Sequence, residues 1–102
     1  MMDIAHEQMQ AARSNGSGRS ATTLYRGEVL SQVLMALVAG TELADHSNPG
    51  EATLHVLAGE VQLRSGDQAW DLSEGQMVGI PQAVHSVAAL ADSVVLLSVA
   101  RR

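Results

Sequence analysis

The chain has no cysteine, no lysine and no phenylalanine, and Trp70 and Tyr25 are its aromatic residues. Without cysteine it can form neither a disulfide nor a thiolate metal site. Without lysine its fixed cations are six arginines against eleven carboxylates, a formal charge of −5. No basic stripe exists that could follow a phosphate backbone, so nucleic acid is not an expected partner. The longest wholly apolar run, Val33 to Ala39, falls far short of the roughly 20 residues a membrane helix needs. No basic flank followed by an apolar core stands at the N-terminus, so the expectation is no secretory leader, no membrane and a cytoplasmic location.

What remains is aliphatic. Hydrophobic residues make up 46% of the 102, enough for one globular domain whose core is built from Val, Leu, Ala, Ile and Met. Residues Asp3 to Arg13 read as a helix, with Asp3 able to cap and Ile4, Ala5, Met9 and Ala12 on one side. So short a helix is marginal alone and must dock or fray. His6 lies off the apolar side and reads as solvated. The run Asn15 to Ser20 reads as a flexible connector, so residues 1–20 form helix and linker and 21–102 the main domain.

From Thr22 on, short strands alternate with turn signals every eight to twelve residues, the pattern of an all-β sandwich or barrel. The expected strands are Thr22 to Arg26, Leu30 to Val38, Ala52 to Leu57, Val61 to Arg64, Gln68 to Leu72, Met77 to Ile80, His85 to Leu90 and Val94 to Ala100, with a loop opening at Gly40. Val61 and Leu63 alternate with Gln62 and Arg64, as in a half-buried hairpin closed by Ser65-Gly66-Asp67. Leu30 to Val38 and Val94 to Ala100 are apolar on both faces, which calls for a second covering layer or a partner.

His46 and Asn48 stand two apart and would share a face of an extended strand. With His85 they form the candidate polar pocket. From about Val29 to Ala100 the chain resembles a small single-domain cupin of the RmlC-like kind. The first cupin motif runs G-x5-H-x-H-x(3,4)-E-x6-G; Gly40, His46 and Gly59 match it, Asn48 stands at the second His and Ala52 at the Glu. The second runs G-x5-P-x-G-x2-H; Gly75 and Pro81 match, Ala83 replaces the Gly, and His85 comes one residue early.

The resemblance implies a small antiparallel jelly-roll β-barrel with a short N-terminal helix, commonly a homodimer paired sheet to sheet. It also implies a site for a divalent transition metal (Zn, Fe, Mn or Ni) at His46, His85 and Asn48, with two of the four ligand positions replaced. Glu51, beside the vacated position, faces away by strict alternation, but a bulge at Pro49-Gly50 would turn it into the pocket. His55 points outward by the same period, provided Ala52 points in. Three classes stay open: a module that binds or senses a small molecule, a metal-dependent oxygenase or isomerase using His46 and His85 with Asn48 or Glu51, and an accessory dimer scaffold. The serines near histidines lack a nucleophile elbow and an orienting acid, which argues against triad chemistry.

Overall fold

The computed structural model describes residues 2–46, 50–81 and 83–101, with side chains for 3–43, 50–81 and 83–100. The single helix among them, α1, spans Met2–Ser14; Asp3 in its first turn and Arg13 in its last complement the helix dipole. Ala5, Met9 and Ala12 are its buried stripe, spaced by four and three residues, whereas Ile4 stays exposed. The connector that follows is tied down. Asn15 Oδ1 accepts from the Ser17 amide, and the Gly18 carbonyl accepts from the Val38 amide at 2.8 Å and from Thr41 Oγ1 at 3.3 Å. The first strand accordingly begins at Arg19, inside the stretch read as flexible.

Among the described residues nine strands follow: β1 (Arg19–Arg26), β2 (Leu30–Leu37), β3 (Glu42–His46), β4 (Gly50–Ala58), β5 (Glu60–Ser65), β6 (Gln68–Ser73), β7 (Met77–Gly79), β8 (His85–Ala89) and β9 (Ser93–Arg101). They form a five-stranded antiparallel sheet, β1-β2-β9-β4-β7, facing a four-stranded one, β3-β8-β5-β6. This is the expected jelly roll. Strand β3 occupies part of the stretch expected as loop after Gly40. The β5–β6 hairpin closes through Gly66, whose φ of 58° at the first turn position is the conformation a two-residue hairpin turn asks of glycine.

Between the sheets lies the main core: Leu37, Ala52, Leu54, Val56, Val61, Leu63, Leu72, Ile80, Val87, Ala89 and Val95, with Trp70 packed against it. A second cluster sits outside the larger sheet. There α1 lays Ala5, Met9 and Ala12 over Leu34, Ala36 and Val94. The two-faced apolarity of β2 and β9 thus has a physical account: one face fills the barrel, and part of the other lies under the helix. The remainder of that outer face stays open, with Leu30 and Met77 exposed.

The end of the barrel nearest α1 is closed by close contacts. Gly59 has φ 89°, and a Cβ there would come within 2.4 Å of the Asp92 carbonyl oxygen and of Ser93 Oγ. Ser93, fully buried, accepts at Oγ from the Glu60 amide at 3.0 Å and has the Ala91 and Glu60 carbonyls at 2.7 and 3.0 Å to receive its proton. Asp92 beside it accepts from the Ala39 amide at 2.8 Å and from Arg13 Nη2 at 2.9 Å. The amide first and the guanidinium second hold the Asp92 carboxyl below its ordinary value of 3.8.

Candidate functional site

His85 opens β8, and the alternation that sends Val87 and Ala89 into the core sends His85 inward as well. It is 1% exposed. Its Nδ1 lies 3.0 Å from the Ala83 carbonyl oxygen, so Nδ1–H donates there and fixes the orientation of the ring. A polar depression of about 510 Å³, lined by Glu42, Arg64, Gly66, Val84, His85 and Ser86, reaches the same residue. Ser65 Oγ donates to the Val84 carbonyl at 3.0 Å and fixes the approach to β8.

His46 is the cross-strand register partner of His85 in the β3–β8 ladder, which carries an irregularity between Leu43 and His46. The backbone therefore brings two histidine positions of the sequence-derived site opposite each other. Asn48 lies outside the described residues, as does Pro49. Ala52, at the position of the motif carboxylate, is buried among the main core residues and offers only a methyl group.

Glu51 is placed differently from the inward-turned alternative. From Gly50 to Val56 the pairing of β4 with β9 runs without a shift, so no bulge rotates the strand there, and Ala52, Leu54 and Val56 take the inner face. Glu51 is exposed on the outer face. With Leu30, Thr53, Gly79 and Ser98 it lines a shallow depression of about 410 Å³ on that side of the sheet. His55 shares the outer face, as period two requires. Glu51 and His85 are not brought together.

The described side chains alone do not make up the donor set of a cupin-type metal ion. Such an ion asks for imidazoles and a carboxylate converging on one point. The described side chains supply the single imidazole of His85 there, and among the described residues no three His, Asp or Glu side chains gather into a metal set. Chemically, the arrangement offers one buried, oriented imidazole on the inner face, while Arg64 and Glu42 take the outer face of the same sheet, around the polar depression. Sequence reasoning found His85 through its motif. It missed Arg64 and Glu42, whose signal was only the outward phase of β5 and β3.

Comparison with known proteins agrees with this architecture. The family described as "Cupin domain" matches residues 33–100. Among curated proteins none matches. Among solved structures, the conserved protein SPY1581 of unknown function from Streptococcus pyogenes is 25% identical with a TM-score of 0.78, over 86% of this chain and 78% of that one. An RmlC-like cupin from Desulfovibrio desulfuricans is 29% identical with a TM-score of 0.73, over 80% and 81%. An RmlC-like cupin from Shewanella frigidimarina, 17% identical with a TM-score of 0.77 over 85% and 79%, shares the fold.

Proposed function

The chain belongs to the cupin family, and from that premise we propose that it is a binding or sensing module that holds a small molecule without turning it over. The observation that carries this reading is Ala52. A buried methyl group stands where the family motif has its carboxylate, and Glu51, the nearest replacement, lies on the opposite face of the sheet. A metal held only by His46, Asn48 and His85 would lack the anionic ligand that strengthens binding and neutralises its charge. Those three residues form the proposed ligand pocket, with the imidazole of His85 oriented through Ala83.

A second reading, a metal-dependent oxygenase or isomerase, draws its support from the His46–His85 register. The two separate on metal content. The chain is purified without an affinity tag or chelator, beside a His46→Ala/His85→Ala variant, and both are assayed by elemental analysis. The binding module predicts less than about a tenth of an equivalent of any divalent transition metal in either protein. Stoichiometric metal, lost in the variant, would overturn it in favour of the enzyme.

We also propose that the chain pairs as a homodimer through the part of the outer face that α1 leaves open. Leu30 and Met77 are exposed there, 41% and 63%, around Thr53, His55, Leu96 and Ser98. Exposed apolar side chains on a sheet face are costly to leave in water, and a second copy of the same face can cover them by symmetry.

A further inference from the structure

The two sheets separate between their edge strands β1 and β3, and the opening is a cleft of about 340 Å³ whose described lining does not include His85. Ala21, Met35, Leu37 and Leu43 line it with apolar surface, and Asn15, Ser17, Arg19 and Ser20 supply its polar part. The registers set it apart from the motif site. Met35 pairs with Val95 and Val95 with Val56, while the Ala52 position pairs with Val99, at the other end of the same strands.

We propose that this cleft is a second small-molecule site, selective for a short aliphatic carboxylate whose charge rests on Arg19. Three observations carry the assignment. The backbone of Arg19 is anchored: its amide meets Ser17 Oγ at 3.4 Å, and its carbonyl accepts from Asn15 Nδ2 at 3.2 Å and from Ser17 Oγ at 3.3 Å. The guanidinium therefore starts from a fixed point. Among the described residues the ion pair is Arg13 with Asp92, and none of their carboxylates pairs with Arg19 or lines the cleft. Below it lies the apolar surface of Ala21, Met35, Leu37 and Leu43. A planar guanidinium matches a carboxylate by two parallel hydrogen bonds, and the apolar floor accepts an alkyl chain. A phosphate would find a single cation for its greater charge, and an ammonium would be repelled.

The test is a titration of the isotopically labelled full chain, followed by amide shifts, with hexanoate as the probe. Butanoate, hexan-1-ol and hexylamine serve as comparisons, and the series is repeated on Arg19→Gln. The expected result is saturable shifts at residues 19–21, 35–37 and 43. Hexanoate should bind roughly tenfold tighter than butanoate, since each buried methylene adds about 0.8 kcal/mol. Arg19→Gln should weaken hexanoate by about fivefold, the size expected of an exposed charge contact, and leave hexan-1-ol unchanged. Arg19 is on an exposed edge position, so the variant should fold; Ala21→Glu, which puts a negative charge in the cleft, gives an independent second variant that should weaken hexanoate as well. Shifts that do not saturate, equal binding of hexylamine, or undiminished binding in both variants would overturn the proposal. Saturable shifts centred on His85 would also overturn it, while leaving the pocket of the proposed function standing.

Discussion

The two ends of this barrel obey different rules. At the end beneath α1, Gly59, Ser93 and Asp92 fit one another at contact distance, and Leu34 and Ala36 are fully buried under the helix. At the other end, the positions a cupin uses for chemistry hold an amide at Asn48 and a methyl at Ala52. The closing glycine of the first motif, Gly59, is required for a geometric reason that has nothing to do with ligands. The difference teaches that the motif is two overlapping constraints. One fixes how strands turn and approach, and the other supplies ligands; a chain can keep the first and lose the second.

The comparison can be broken at its closed end. Gly59→Ala combines a left-handed backbone with an overlap against a carbonyl oxygen, neither of which can yield cheaply, and should cost more than about 3 kcal/mol. Chemical denaturation of the purified variant measures this; a loss under about 1 kcal/mol would mean that the Asp92–Ser93 turn moves easily. Next comes the helix-covered face. Leu34→Ala should cost about 2–4 kcal/mol, because α1 cannot collapse onto the space left at a fully buried position. Four residues earlier on the same face, Leu30→Glu with Met77→Glu should change the stability of the isolated fold by no more than about 0.5 kcal/mol, since both are exposed. Sedimentation should show that pair of changes turning a dimer into a monomer, and a wild-type chain already monomeric at high concentration would end the dimer proposal.

The smallest effect is electrostatic. Asp92 has a lowered pKa, so its bonds to the Ala39 amide and to Arg13 contribute fully above the ordinary carboxylate value of 3.8 and fade as pH falls below it through the lowered folded value. Asp92→Asn should flatten that acid limb of the thermal midpoint. Because the group is exposed and salt screens it, the slope should be shallow and should shrink with added salt. An unchanged acid limb would assign it to other carboxylates.

Much of this was legible in the sequence, for reasons that vary with the element. The β5–β6 hairpin announces itself because one face is core and the other water, so period two appears directly, and Gly66 marks the turn. The helix stripe at Ala5, Met9 and Ala12 shows for the same reason at a different period. Strand β3 was hidden, since Glu42 to His46 is short, and charged residues among so few positions leave no alternation to read. The early start of β1 was hidden too: Arg19 to Thr23 belong to an edge strand with polar or small side chains on both faces. Apolarity on both faces of β2 was plain, but its cause was not, because periodicity tells how many faces are covered and never by what. At the site, His85 followed from its motif and the outward phase of Glu51 from alternation. The Arg13–Asp92 bridge spans 79 residues, and nothing local in either segment points to the other.

One consequence of the strand order concerns the chain while it is being made. Strand β9 lies at the centre of the larger sheet, with β2 on one side and β4 on the other, yet it is the last strand synthesised. Until it emerges, β2 can form its hairpin with β1 but has no neighbour on its other edge, and β4 lacks its longest ladder. The nascent polypeptide therefore carries an unsatisfied, strongly aliphatic ribbon until β9 emerges, while the N-terminal helix can already settle on β1 and β2. Sheet closure waits for long-range pairing, which is slow and leaves edges open to association. For this protein, the interval between the emergence of β2 and of β9 is the window in which a holdase would be needed.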